Sequence, residues 1–185
     1  MNAGLFGGVF DPPHLGHVAL AREAKRRFGL DKLVVLVAAD PEHKEVATPV
    51  ADRLALARAA FPGDDVRVDE HRRTVDMLRA GEWVNPLLLV GADQLAAFHN
   101  WREPDAVLDM ARVAVATRPG FGLDELAGAL EQLGRPDRIE LFEIEPWPVA
   151  SRELRARVAR DESVDGLVPP AVAEEIERRG LYRPV

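Results

Sequence analysis

Cysteine is absent from the 185 residues, which removes disulfides and thiolate metal sites and fits a reducing compartment. Long apolar runs are absent too. No stretch approaches the roughly 18 residues that cross a bilayer, so no membrane partner is expected. The first strand candidate begins at Gly4 and leaves no space before it for a signal-peptide core, so the expected location is cytoplasmic. Basic residues are outnumbered, 24 against 31 acidic, and the formal net charge of −7 argues against a nucleic-acid partner, whose main attraction is a basic face. Neither the Gly-x-x-x-x-Gly-Lys-Ser/Thr phosphate loop nor the Gly-x-Gly-x-x-Gly dinucleotide turn occurs. What is present, 47% apolar and 30% charged residues, suits one domain with a buried core.

Apolar runs at Gly4 to Phe10, Leu33 to Ala39, Leu87 to Val90 and Val113 to Thr117 read as strands, with weaker candidates at Val66 to Val68 and Ile139 to Phe142. Helical periodicity lies between them, at His17 to Phe28, Ala51 to Phe61, Thr74 to Ala80, Asp93 to His99, Pro104 to Met110 and Leu123 to Leu133. Continuous rather than alternating strands, separated by helices, predict an α/β fold: a Rossmann-like, doubly wound parallel sheet. Arg152 to Arg160 and Ala171 to Arg179 follow without a strand and predict a small helical appendage on the ligand-binding edge. The expected organisation is a single domain over 1–185, with an α/β core over 1–148 and C-terminal helices over 149–185. Association into a homo-oligomer is left open.

In such a sheet the ligand sits beyond the carboxyl ends of the strands, where strand order reverses. The segment Gly7-Gly8-Val9-Phe10-Asp11-Pro12-Pro13-His14-Leu15-Gly16-His17 falls at the first of those ends. Two glycines permit positive φ and close approach of a ligand, and two prolines hold the chain extended, so the helix is expected to start near His17. A helix N-terminus with two imidazoles is a site for phosphate. A metal at Asp11, His14 and His17 is the competing reading, with no further ligand to close it.

This segment resembles the G-G-x-F-D-P-x-H-x-G-H signature of the nucleotidyltransferase superfamily that carries the HxGH motif. Gly91-Ala92-Asp93-Gln94-Leu95, Phe98, Trp101, Ala111-Arg112 and Thr117-Arg118-Pro119-Gly120-Phe121 are similar to a longer series found in bacterial nicotinate-nucleotide adenylyltransferases. So is the ending Gly180-Leu181-Tyr182. The resemblance implies that ATP and a pyridine mononucleotide are the partners, with Mg²⁺ carried on ATP. It implies catalytic roles for His14, His17 and Lys44, the last in a loop matching the family's P-H-K. It also implies ATP contacts at Gly7, Gly8, Phe10, Gly16, Gly91, Asp93, Arg118, Ser151 and Arg155, and mononucleotide contacts at Asp11, Thr74, Trp101 and Arg102. No resident metal site is implied.

For Asp93 and Ser151 the plain alternative is helix capping, and for Trp101 it is core packing. Two departures stand out. Val149-Ala150-Ser151-Arg152-Glu153-Leu154-Arg155 resembles the family's I-S-S-T-x-I-R but lacks two hydroxyls, and Thr74 is the nearest counterpart of a longer P-S-Y-T-x-x-T-L stretch. Acceptors other than nicotinate mononucleotide, namely nicotinamide mononucleotide or phosphopantetheine, therefore stay open, as does a nucleotide-binding regulator without turnover.

Overall fold

The strands of this protein carry β-branched and leucine side chains on both faces, and the structure buries both. The structure is a computed structural model that describes residues 2–41, 46–119 and 123–184. In chain order the elements are β1 (Ala3–Gly8), α1 (Leu15–Phe28), β2 (Lys32–Ala38), α2 (Val50–Ala60), β3 (Asp65–Asp69), α3 (Thr74–Arg79), β4 (Leu87–Gly91) and α4 (Ala92–Ala96). They continue with α5 (Pro104–Met110), β5 (Arg112–Thr117), α6 (Leu123–Leu130), β6 (Ile139–Glu143), α7 (Ser151–Ala159) and α8 (Pro170–Arg179). The six strands form one sheet in the order β3-β2-β1-β4-β5-β6, every neighbouring pair parallel.

Side chains alternate between two apolar layers. Phe6, Leu33, Val35, Val37 and Leu89 join one cluster with α1, α2, α7 and α8, while Leu5, Val34, Leu36, Leu88 and Val90 join the other with α3, α4, α5 and α6. The two weak strand candidates are the edge strands β3 and β6. Each has one neighbour and keeps several residues partly exposed, which is why its apolar signal is short.

One expectation changes and another is extended. The helix predicted over Asp93 to His99 breaks at Ala97: α4 ends at Ala96 and a 3₁₀ turn spans Phe98–Asn100, because Phe98 is drawn completely into the core. The expected C-terminal helical appendage is present and also contributes to the core. Leu154, Val164, Val168, Val172 and Ile176 are buried in the same cluster as α1 and α2, so they complete the layer on that face.

Strand order reverses between β1 and β4. These two strands pair at Gly4 with Leu87 and Leu5 with Leu88, whereas β1 pairs with β2 along its whole length from Ala3 to Gly8. Their carboxyl ends therefore separate, and the segments after Gly8 and Gly91 border that opening.

Candidate active site

At the end of β1 the expected glycine geometry is corrected. Neither Gly7 nor Gly8 has positive φ; Phe10 does, at 52°. The glycines serve space instead of torsion. A Cβ on Gly8 would lie 2.9 Å from the Phe10 ring, and one on Gly7 would point into open space beside the opening. Phe10 itself is 2% exposed and packs edge-on against Phe6, Phe61 and His17, so its ring is closed off by the core. A left-handed phenylalanine costs about 1–2 kcal/mol and persists only where its surroundings hold it.

Asp11–Pro12 is a cis peptide bond, and Pro12 and Pro13 are buried. Helix α1 then starts at Leu15, two residues earlier than expected. His14 is its extended N-cap (φ −137°, ψ 173°), and the His14 N–H donates to His17 Nδ1 at 3.1 Å. A side chain three residues into a helix that reaches back to the cap N–H is normally glutamate or glutamine. Here the second histidine of the motif does it, so the neutral His17 ring carries its hydrogen on Nε2. The two rings stack with centroids 3.7 Å apart. Burial pushes His14 down from 6.5 to about 4, so it is neutral at pH 7, and among the described residues its buried Nδ1 has no hydrogen-bond partner. Gly16 leaves room for this stack, since a Cβ there would sit a tight 3.1 Å from the His14 ring and 3.3 Å from Trp147 Cβ.

The turn between Val9 and Leu15 is held from far along the chain. Arg155 Nη1 donates to Asp11 O at 2.6 Å, and Ser151 Oγ donates to Pro12 O at 2.8 Å. Tyr182 Oη donates to Asp11 Oδ1 at 2.8 Å, and the Leu15 N–H donates to Leu167 O at 3.0 Å. Asp11 is only 6% exposed, with Arg155 Nη1 3.7 Å from Oδ2. Its carboxylate thus faces Tyr182 and Arg155. Burial and the neighbouring Asp11 charge raise the pKa of the Tyr182 phenol, keeping it a donor.

Beneath the turn lies Arg53, 2% exposed, donating to Val9 O (3.2 Å), Ala38 O (2.7 Å), Ala39 O (3.1 Å) and Thr48 O (3.1 Å). It ties the ends of β1 and β2 to the approach to α2. Sequence reasoning missed Arg53 and Tyr182. Arg53 did leave a signal: it shares the i, i+3, i+4, i+7 stripe of Leu56, Ala57 and Ala60, where a guanidinium has to find buried acceptors.

Across the opening, Gly91 ends β4 and is the N-cap of α4, its N–H donating to Gln94 Oε1 at 3.1 Å. Asp93 is therefore not the cap; it is exposed in the first turn. A Cβ on Gly91 would meet nothing within 4 Å. Trp101 is half-buried and lies against Phe98, ring centroids 4.6 Å apart, so it shares in the core yet keeps a partly open surface. Arg102 is exposed, 3.5 Å from Glu103. Thr74 opens α3, and Arg118 is exposed directly after β5. Lys44, Gly120 and Phe121 lie outside the described residues. Among the described residues no group of three or more His, Asp or Glu side chains converges as a metal cage.

A cytidylyltransferase-like family model matches residues 5–164, which covers both halves of this opening. A Bordetella avium protein named "Probable nicotinate-nucleotide adenylyltransferase" is 40% identical over 194 residues, spanning 98% of each chain. The chain belongs to the nicotinate-nucleotide adenylyltransferases. A Rubrobacter xylanophilus member carrying the same name is 33% identical over 99% of this chain and 92% of its own. The fold is shared more widely. The Plasmodium falciparum nicotinic acid mononucleotide adenylyltransferase solved with NaAD superposes with a TM-score of 0.77 at 16% identity, over 98% of this chain and 97% of that one.

Relative to the family's hydroxyl-rich I-S-S-T, the chain keeps one hydroxyl at the start of α7 and uses it on Pro12 O. Ala150 is the N-cap there and offers no side-chain acceptor, while Arg152 is exposed in the first turn. Ser151 and Arg155 thus sit beside the turn, with donors directed to its carbonyls.

Proposed function

We propose that this chain transfers the adenylyl group of ATP to nicotinate mononucleotide, forming the deamidated dinucleotide and pyrophosphate, in the cytoplasm. The observation that carries the reading is the pair of stacked, capped imidazoles at the N-terminus of α1, beside the opening where β1 and β4 separate. An oxygen of the acceptor's 5′-phosphate attacks the α-phosphorus of ATP, the bond to the bridging oxygen breaks, and pyrophosphate leaves with that electron pair. The attacking phosphate is already anionic, so no protein nucleophile is needed. Alignment and charge stabilisation supply the rate.

Each residue has a part in this. The Nε2–H of His17 and the neutral ring of His14 donate to phosphate oxygens, and the α1 dipole adds partial positive charge. Gly7, Gly8 and Gly16 let the triphosphate approach the backbone, and the Phe10 backbone joins them. Lys44, Arg118 and Arg155 balance phosphate charge, and Ser151 at the start of α7 joins them at the triphosphate. Gly91 and Asp93 take the ribose. Trp101 offers a ring face to the electron-poor pyridine, with Thr74 and Arg102 at its carboxylate. Mg²⁺ arrives as part of the substrate, on ATP oxygens, since it binds through substrate phosphates more readily than in an all-protein cage.

Pyrophosphate release measured with ATP plus each acceptor tests this. Nicotinate mononucleotide is expected to give a kcat/KM about tenfold or more above nicotinamide mononucleotide, since one site cannot pair equally with a carboxylate and an amide. Phosphopantetheine is expected to give none. Equal rates with the two pyridine acceptors would place specificity elsewhere. Absence of release with every acceptor would leave a nucleotide-binding regulator.

A further inference from the structure

We infer that Tyr182 is a positioning residue of the transfer site, acting through the Asp11 carboxylate to fix the turn that presents His14 and His17. The inference rests on the adenylyl-transfer reading given above. Tyr182 follows the C-cap of α8, 171 residues from Asp11, and adopts a left-handed φ of 65°. Phe10, beside Asp11, is left-handed as well. Two non-glycine residues in that region are thus joined across a 2.8 Å hydrogen bond and the intervening Asp11 backbone. Such torsions persist only where several contacts hold them at once.

Asp11 links the strained Phe10 to the prolines that end at His14. Its backbone carbonyl is held by Arg155 and its carboxylate by Tyr182, so the peptide on each side of Asp11 has little freedom to rotate. Three residues later the His14 N–H meets His17 Nδ1. A shift of Asp11 therefore passes through two buried prolines to the stacked imidazoles rather than into solvent. Misplacement of catalytic donors by a fraction of an ångström lowers turnover without removing the binding surface. Tyr182 touches no reacting atom. Its effect is expected in kcat more than in KM.

The test compares Tyr182→Phe with Arg179→Ala. Arg179 lies on α8 and bonds Asp52 on α2 at 2.7 Å, so its loss loosens the same helix without touching the turn. In Tyr182→Phe, kcat is expected to fall about tenfold with KM for both substrates within about twofold, and amide hydrogen exchange over residues 9–15 to rise. In Arg179→Ala the melting temperature is expected to fall, with kcat at 25 °C and exchange over 9–15 unchanged. A Tyr182→Phe protein that only melts earlier, keeping parental kcat and exchange, would overturn the inference. So would an Arg179→Ala protein that loses turnover as Tyr182→Phe does. If the parent protein releases pyrophosphate with none of the acceptors, the adenylyl-transfer reading fails, and unchanged exchange over 9–15 in Tyr182→Phe would still separately overturn the role of Tyr182.

Discussion

His17→Ala is expected to lower kcat by about a thousandfold while the protein stays folded. Removing one preorganised donor to developing charge typically costs about 10²–10³ in rate, and the deletion also releases the imidazole stacked against His14 at 3.7 Å. The stability cost is small by comparison. The His14 N–H loses its acceptor, His17 Nδ1, worth about 1 kcal/mol, or roughly 2–4 °C in a domain of this size. Pyrophosphate release and thermal unfolding on the same sample separate the two effects. Turnover within about tenfold of the parent would remove His17 from the chemistry and leave it a helix-capping residue.

The second large effect falls on stability. Arg53→Ala is expected to cost about 3–5 kcal/mol, lowering the melting temperature by about 10 °C or more. The guanidinium serves four carbonyls, on Val9, Ala38, Ala39 and Thr48, and lies in the field of the buried Asp11 carboxylate. Without it those acceptors are stranded and the Asp11 charge loses a counterpart. Lysine at this position restores charge but lacks the planar fork that reaches several carbonyls, so Arg53→Lys is expected to recover less than half of the loss. Urea unfolding of the three proteins gives the free energies. A cost for Arg53→Ala below about 1 kcal/mol would mean that water satisfies these carbonyls and that the turn after β1 is not braced from below.

The elements that depend on local pattern were legible. Buried parallel strands are apolar on both faces, so β1, β2, β4 and β5 are visible as unbroken runs, and the helices between them follow from periodicity. The Gly7 to His17 segment is legible for a similar reason, since its chemistry is contiguous in sequence. Phe10 was not. Nothing in a phenylalanine announces left-handed backbone, and the glycines beside it attracted the expectation instead. The mononucleotide contact expected at Asp11 follows from resemblance alone, and its burial against a tyrosine 171 residues away depends on long-range packing. Ser151 and Arg155 were placed beside the phosphates by resemblance alone, and their hydrogen bonds to the Asp11 and Pro12 carbonyls depend on packing that no local spacing encodes. The α7–α8 layer has the same origin: its apolar stripe was readable, its partners on α1 and α2 were not.

In the proposed reaction the first strand-to-helix junction grips ATP so that an acceptor phosphate displaces pyrophosphate from it. A crystal structure with a non-hydrolysable ATP analogue and nicotinate mononucleotide tests it most directly. Triphosphate oxygens are expected within hydrogen-bond distance of the His14 and His17 rings, with the acceptor's phosphate in line with the α-phosphorus. Triphosphate density away from that junction, with the two imidazoles facing solvent, would contradict it.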